Sequence, residues 1–149
     1  MEGTYNYEKL AYYPHMKPAD VHLWNKFIDE HPDFFETCDY DVSVGEGVIA
    51  GDIENDIYAR DFQQLTQKKI DVVGYKGRDV WIVEVKPNAG SGAMGQIITY
   101  GNLWSQKHPN EKYLHLAIIT NQQQSDYKNI YDDQDIDLLT VGFCPECEE

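Results

Sequence analysis

The sequence has few basic side chains and no long apolar run. Its 149 residues include 12 Lys and Arg against 26 Asp and Glu, for a net charge of −14. This balance argues against a generic nucleic-acid coat protein, because phosphate binding needs clustered Lys and Arg. No apolar run approaches the roughly 20 residues that span a bilayer, and the first residues lack the basic start and apolar stretch of a signal peptide. We therefore expect a soluble cytoplasmic protein with no membrane partner, in the host cytoplasm if the source is a virus.

Cysteine is also scarce, with three in the chain: Cys38, Cys144 and Cys147. An odd number without a secretion signal does not suggest a disulfide framework. The Cys-Pro-Glu-Cys run at 144–147 is half of a zinc site, and Cys38, a histidine or a dimer would have to supply the rest. It is equally the end of a frayed chain. The sequence leaves both interpretations open.

Charge is distributed unevenly over a composition that suits a folded protein. The chain is 42% hydrophobic and 13% aromatic, which is enough to bury a core of one domain. Residues 60–112 hold eight basic and five acidic side chains and so carry +3, while the remaining residues carry −17. The middle of the chain tolerates a polyanion and the flanks repel one, although most of these charges also suit a solvated acidic surface.

Hydrophobic periodicity predicts an α/β (mixed α+β) fold. Pro18 suits the first turn of a helix over 17–33, and the apolar runs 69–75 and 79–86 predict two strands. The sequence predicts a long loop or a mobile hairpin over residues 46–62. The other predicted elements are a strand at 40–45, a helix at 93–108, a strand at 113–120, a helix at 125–133 and a strand at 136–143. This order predicts a mixed central sheet flanked by helices, in a single domain over 1–149 with its core at about 18–143 and a tail at 144–149.

The two central strands place two acids opposite each other. Gly77-Arg78 suits a two-residue type II′ turn, since glycine adopts the positive φ of its first position. Opposed residues then have numbers that sum to 155, so that Asp71 faces Glu84 with their Cβ atoms about 5 Å apart. Lys86 lies two residues after Glu84 and shares its face.

Such a group is costly to bury without a further partner. Two opposed carboxylates repel each other, and burial adds to the cost. A divalent cation removes the repulsion by taking both as ligands, and their hard oxygens suit Mg²⁺ or Mn²⁺. Lys86 would then stabilise charge on an attacked phosphate or activate water. The alternative is a buried carboxylate–lysine salt bridge that holds the hairpin together.

This stretch resembles the PD-(D/E)xK nuclease superfamily, whose pattern is an acid on one strand and (D/E)-x-K on the next. Asp71 matches the first acid and Glu84-Val85-Lys86 match the second half, while Ile70 stands where the literal proline would be, as in many members. The resemblance implies a restriction-endonuclease-like core of a helix, three strands, a helix and a strand. It also implies that Asp71, Glu84 and the carbonyl of Val85 bind metal and that Lys86 is catalytic.

The following helix extends the resemblance. Gln96 and Tyr100 are four residues apart and share a helix face, and they look like the Gln-x-x-x-Tyr motif of the RecB-like and lambda-exonuclease-like branch. The resemblance implies that both lie beside the metal, where they contact phosphate or orient the catalytic groups. The residues alone also allow a core Tyr100 and a solvent-facing Gln96. That branch often adds an earlier Glu or His, for which Glu30 and Glu36 are candidates; Asp41 in the preceding strand is another.

The sequence therefore predicts a small Mg²⁺- or Mn²⁺-dependent nuclease that hydrolyses phosphodiester bonds, with DNA favoured over RNA. Its size resembles that of minimal nucleases of phages and mobile elements. Assembly into a homo-oligomer would enlarge the DNA-binding surface of an acidic chain. Two other classes remain open, namely an inactive nuclease-fold module that binds nucleic acid or a partner, and an acidic protein that mimics nucleic acid.

Overall fold

The computed structural model describes residues 2–122 and 124–147, and these form a mixed α/β fold. Its sheet has six strands, and four α-helices accompany it. The elements are β1 Tyr5–Asn6, α1 Pro18–Glu30, β2 Thr37–Val44, α2 Ile57–Thr66, β3 Lys68–Lys76, β4 Asp79–Val85, α3 Ser91–Lys107, β5 Leu114–Thr120, α4 Ser125–Asp133 and β6 Ile136–Thr140. The predicted mixed sheet flanked by helices is confirmed. No helix in the described ranges is long and apolar enough to cross a bilayer.

The strands lie side by side in chain order from β1 to β6. Neighbours from β1 to β4 are antiparallel, whereas β4, β5 and β6 are parallel. Parallel neighbours need crossover connections, which α3 and α4 supply. Strand β4 is therefore where the sheet changes from antiparallel to parallel pairing, and its carboxyl end leads towards α3.

The β3–β4 hairpin has the predicted register. Its pairs run from Lys76↔Asp79 to Val72↔Val83. Gly77 has a φ of +58°, and Arg78 is not among the residues with positive φ. A type I′ turn would need positive φ at both positions, so the turn is of the predicted type II′ class.

Two apolar cores cover the two faces of the sheet. On one face, the buried side of α1 packs on the central strands with Leu23, Trp24 and Phe27 at its centre. On the other face, Ile97 of α3 and Tyr131 of α4 pack against the same strands. Residues with β-branched side chains supply most of the sheet's contribution, as expected for strands buried on both faces.

The prediction of a loop or hairpin over residues 46–62 is wrong in its second half, where α2 begins. Glycines 45, 47 and 51 do have positive φ, as a loop requires. The Asp56 side chain then accepts a hydrogen bond from the backbone N–H of Tyr58 (2.9 Å), which caps a new helix. Only Ala59 of α2 is buried, so the apolar side chains that recur at helical spacing in this segment do not face a core.

A short 3₁₀ turn, Pro145–Cys147, lies next to α1; Cys147 ends it and Cys144 directly precedes it. Cys144 and Cys147 form a disulfide, whereas Cys38 is a buried free thiol. Cys147 is fully buried in the same core cluster as Cys38. With their sulfur atoms joined to each other, Cys144 and Cys147 do not form the half zinc site that the sequence left open.

Candidate active site

Three acids lie in a row across three strands. The β2–β3 pairs Tyr40↔Val72 and Val42↔Ile70 place Asp41 at the register position opposite Asp71. The hairpin register, which ends at Val72↔Val83, places Glu84 opposite Asp71 on the other side. Asp71 is thus the middle member of a row that runs from Asp41 in β2 to Glu84 in β4.

The sheet is irregular at this row. Regular β2–β3 pairing skips Asp41, whose φ is +53°. Residues two apart on a regular strand share a face, yet Ile70 and Val72 pack in opposite core clusters. The regular alternation of β3 side chains between the two faces of the sheet is therefore interrupted at Asp71. An irregular strand next to polar side chains is a common feature of functional sites.

At Asp71 and Glu84, carboxylate oxygens accept the backbone hydrogen bonds that carbonyl oxygens would accept in a regular β-ladder. The backbone N–H of Asp71 donates to Glu84 Oε2 (3.1 Å), and the N–H of Val85 donates to Asp71 Oδ2 (3.0 Å). In the described part of the chain, no Lys or Arg nitrogen lies within 4.0 Å of either carboxylate. The structure therefore does not contain the direct carboxylate–lysine salt bridge that was the structural alternative.

Burial and mutual repulsion disfavour the charged forms of this pair. Glu84 is 5% exposed, and its burial, followed by the negative charge of Asp71, raises its pKa well above the ordinary value. Burial also raises the pKa of Asp71, against the hydrogen bond with Glu84, the N–H of Val85 and the positive charge of Lys86. The pair therefore retains a proton at neutral pH unless a cation replaces it.

Lys86 and Tyr100 are both electrostatically coupled to the pair. The exposed Lys86 lowers the pKa of Asp71. Burial, and then the charges of Glu84 and Asp71, raise the pKa of Tyr100. Gln96 is exposed one turn earlier on α3, and Tyr100 is buried in the core cluster on that face of the sheet. This is the placement of the alternative interpretation, a core Tyr100 with a solvent-facing Gln96. The structure thus brings Asp71, Glu84, Lys86 and Tyr100 together, with the Val85 peptide against Asp71.

Of the three upstream acids named from the sequence, only Asp41 belongs to this site. Glu30 accepts hydrogen bonds from the backbone N–H of Gly142 through both carboxylate oxygens (3.0 and 2.9 Å). Glu36 accepts from the N–H of Gly77, in the turn at the other end of the hairpin (2.5 Å). Asp41 instead acts on Asp71, whose pKa its negative charge raises.

Two residues that the sequence did not single out also lie at the site. His15 Nδ1 is 2.5 Å from Asp41 Oδ2. Asp20, in the first turn of α1, contributes to the raised pKa of Glu84. An acid in the first turn of a helix ordinarily reflects the helix dipole, and His15 has no ligand spacing. Neither residue therefore carried a signal that sequence reasoning could separate from background.

A pocket of about 670 Å³ opens beside Asp71. Its other lining residues come from the N-terminal segment, β2, α2 and the start of β3: His15, Asp41, Asp61, Gln64, Leu65 and Lys69. The pocket therefore connects the row of acids to α2.

The donors at the pair are of the type that Mg²⁺ and Mn²⁺ prefer. Asp71 and Glu84 offer carboxylate oxygens, and Val85 offers a backbone carbonyl next to them. Oδ1 of Asp71 and Oε1 of Glu84 take no part in the two backbone hydrogen bonds. Within residues 2–122 and 124–147, no group of three or more His, Cys, Asp or Glu side chains is placed to hold an ion. A metal here would rest on two carboxylates, the carbonyl and water.

Comparison with known proteins identifies no relative. No protein-family model, curated protein or solved structure matches this chain. The resemblance to the PD-(D/E)xK superfamily therefore depends on the residues of the hairpin and of α3.

Proposed function

We propose that this protein is a divalent-metal-dependent nuclease with a restriction-endonuclease-like core of the PD-(D/E)xK type. The observation that carries the proposal is the Asp71–Glu84 pair, in which Glu84 is buried and Asp71 half-buried, with Lys86 and Tyr100 electrostatically coupled to it. A purely structural carboxylate would be expected to have a cationic partner, because burying an unpaired charge is costly. This pair has backbone N–H partners, and its Asp71 lines an open pocket.

The donor set fits Mg²⁺ or Mn²⁺. Asp71, Glu84 and the carbonyl of Val85 would hold the ion, and the two backbone hydrogen bonds would keep the carboxylates in place. When bound, such an ion supplies Lewis-acid polarisation of a phosphate and lowers the pKa of a bound water. The charge of the ion would favour release of the proton that the pair otherwise retains.

The surrounding side chains have separate roles in this proposal. Lys86 offsets negative charge that develops on the phosphate or positions the attacking water. Tyr100 donates a hydrogen bond from its hydroxyl group towards a phosphate oxygen. Burial and the nearby acids raise its pKa, so the hydroxyl group stays protonated well above neutral pH. Gln96, one turn earlier, orients the phosphate from the exposed side of α3.

Nucleic acid, and DNA before RNA, is the proposed substrate. The segment 60–112 that contains the pair is the part of the chain with excess positive charge. The acidic flanks limit non-specific binding, since they repel phosphates outside this segment. A homo-oligomer would bring several such segments to one substrate.

The test is a cleavage assay on single-stranded DNA, double-stranded DNA and RNA in Mg²⁺, Mn²⁺ and EDTA. We expect cleavage in either metal, none in EDTA, and a loss of roughly 100-fold or more in Lys86→Ala, because removing one charge-stabilising group typically costs that much. Lys26→Ala is the matched control, since Lys26 is engaged with Glu30 on α1 (3.7 Å). Equal cleavage by Lys86→Ala and the wild type would refute the assignment of this site.

Two other results would favour the other classes. Stoichiometric Mn²⁺ binding that Glu84→Ala abolishes, without cleavage of any nucleic acid, would indicate an inactive nuclease-fold module. Binding to a basic protein that Glu84→Ala leaves unchanged would indicate a nucleic-acid mimic.

A further inference from the structure

His15 and Asp41 form a hydrogen-bonded pair at the pocket that Asp71 lines. His15 Nδ1 lies 2.5 Å from Asp41 Oδ2. An ionised carboxylate only accepts hydrogen bonds, so Nδ1 carries the proton and the neutral imidazole presents Nε2 as an acceptor. In the described ranges, no hydrogen bond occupies Nε2. The pair therefore has the arrangement of a base that a carboxylate orients.

The segment that carries His15 is anchored to strand β2. Tyr13 is 2% exposed, its hydroxyl donates to Asn25 Oδ1 on α1 (2.7 Å), and its ring packs on Tyr40 with centroids 5.1 Å apart. Tyr40 directly precedes Asp41 in β2. The packing of Tyr13 thus fixes the chain two residues before His15 to the strand position next to its partner.

Both partners of this hydrogen bond have a backbone conformation that residues other than glycine rarely adopt. The φ angle is +58° at His15 and +53° at Asp41. Such a conformation persists where the surrounding structure holds it, and it is common at functional sites. The fold therefore holds the two side chains together from two separate segments of the chain.

Water reaches His15 and is largely kept from Asp41. The side chain of His15 is 77% exposed, whereas that of Asp41 is 17% exposed. Both side chains line the pocket of about 670 Å³ that Asp71 also lines. A water molecule in this pocket can thus contact Nε2 of His15 while the carboxylate behind the imidazole stays sheltered.

The lining of the pocket suits water better than phosphate. Its charged and titratable side chains are His15, Asp41, Asp61, Lys69 and Asp71. Such a mostly acidic lining repels a phosphate. Lys86 and Tyr100, which the proposed function places at the phosphate, are not among the described residues that line it. Under the proposed function, the phosphate therefore reaches Asp71 from the side of Lys86 and Tyr100, and the pocket side is left to the attacking water.

We infer that His15 is the general base of the proposed reaction and that Asp41 is the residue that positions it. The inference rests on the proposed nuclease function and adds a catalytic residue to it. A water molecule in the pocket transfers a proton to Nε2 of His15 while its oxygen forms a bond to phosphorus. One P–O ester bond breaks, the leaving alkoxide takes a proton from solvent, and His15 later returns its proton to solvent. The hydrogen bond to Asp41 keeps the lone pair of Nε2 available and stabilises the imidazolium that forms.

The first measurement needs neither metal nor substrate. The ¹⁵N chemical shifts of the histidine side chains, recorded on the full chain at pH 8 in EDTA, report which ring nitrogen carries the proton, and His15→Ala assigns the signal. We expect the proton of His15 on Nδ1 and none on Nε2. Asp41→Asn should weaken this preference, because an amide can donate to Nδ1 as well as accept from it. A wild-type His15 that is protonated on Nε2 would overturn the inference, whether or not the protein cleaves nucleic acid.

The second measurement is cleavage of single-stranded DNA, double-stranded DNA and RNA in Mg²⁺ and Mn²⁺. We expect His15→Ala to lower the rate roughly 100-fold or more, the usual scale for loss of a general base, and added imidazole to restore part of it. Imidazole should not restore cleavage by Lys86→Ala, because it does not replace the ammonium group. His22→Ala is the matched control, since His22 is an exposed histidine on α1, and it should cleave like the wild type.

The results separate failure of this inference from failure of the nuclease proposal. An active wild type with an equally active His15→Ala variant would overturn the inference and leave the nuclease function in place. A loss in His15→Ala that imidazole does not restore would mean that His15 holds its segment in place and accepts no proton. A wild type that cleaves no nucleic acid in either metal would refute the nuclease function, and the general-base role with it, even with the expected tautomer.

Discussion

At the scale of single residues, Asp71 and Glu84 are two acids that face each other although Glu84 is buried. Repulsion and burial both disfavour two ionised carboxylates at such a site. Backbone N–H groups hold both carboxylates, of which Glu84 is buried and Asp71 half-buried. The two carboxylates face each other, and burial raises the pKa of each. In the proposed metal site, a bound cation would remove the repulsion between the two carboxylates.

The raised pKa of Glu84 predicts how stability depends on pH. The folded protein holds a proton on Glu84 at pH values where the unfolded chain, with its ordinary value of 4.5, has lost it. The folded state is therefore favoured at low pH by this group, and that stabilisation is lost as pH rises through the folded-state pKa. Glu84→Gln keeps an acceptor for the Asp71 N–H without the charge.

We expect Glu84→Gln to raise the free energy of unfolding by roughly 1–3 kcal/mol at pH 8 in EDTA, the cost typical of an imperfectly compensated buried polar group. The gain should shrink at pH 5, and Mg²⁺ should stabilise the wild type but not the variant. Urea unfolding at both pH values measures this. Glu8→Gln, an exposed site, serves as the control and should stay within about 0.5 kcal/mol of the wild type. A destabilised Glu84→Gln at pH 8 would indicate a structural carboxylate.

At the scale of elements, β3 depends on a glycine in its middle. A Cβ at Gly74 would lie 2.6–2.7 Å from three ring atoms of Phe35, and Phe35 is itself buried. The φ of Gly74 is not positive, so the contact and not the backbone conformation requires glycine. Helix α3 shows the opposite case, since nothing lies within 4 Å of a Cβ placed on Gly95.

Alanine substitutions at these two glycines should change the stability of the fold in opposite directions. Gly74→Ala should destabilise the fold by roughly 1–3 kcal/mol, because an aromatic ring in a packed core has little room to move. Gly95→Ala should stabilise it by roughly 0.5–1 kcal/mol, because alanine has less backbone freedom to lose in a helix. Chemical denaturation of both variants beside the wild type tests the pair. A neutral Gly74→Ala would mean that Phe35 does not lie over β3 in solution.

At the scale of the whole molecule, the C-terminal turn contacts α1 and packs in the core cluster that includes Cys38 of β2. Cys147 is fully buried in the core cluster that also contains Cys38 and the inner side of α1. The end of the described chain therefore completes the core on the α1 face of the sheet, and its sulfur atoms belong to the interior.

This placement predicts the state of the three thiols. Denatured, unreduced protein purified without reductant should take up one alkylating group, on Cys38, and reduced protein should take up three, as measured by intact mass. The reason is that the Cys144–Cys147 disulfide leaves Cys38 as the free thiol. Peptide mapping locates the label. Three labels without reduction would show that the pair is open in the purified protein.

Local sequence determined the hairpin and the helices that have a core-facing side. Alternating apolar runs, a glycine suited to positive φ and a two-residue turn specify the β3–β4 register, and that register alone places Asp71 opposite Glu84. Helices α1 and α3 followed from periodicity, whereas α4, with only Tyr131 buried, was predicted from a short polar segment with Ser125 near its start. These features depend on contacts between residues close in the chain, so their signals survive in the sequence.

Tertiary structure decided the rest of the site. Asp41 is 30 residues from Asp71 in the chain, and only the pairing of β2 with β3 makes them neighbours. His15 and Asp20 reach the row of acids through the packing of α1 and the segment before it. Helix α2 forms on a cap and a loop rather than on a buried face, and its position beside the pocket depends on where that loop lies. Long-range pairing leaves no periodic trace in the sequence, whereas a hairpin register is set by alternation and a two-residue turn.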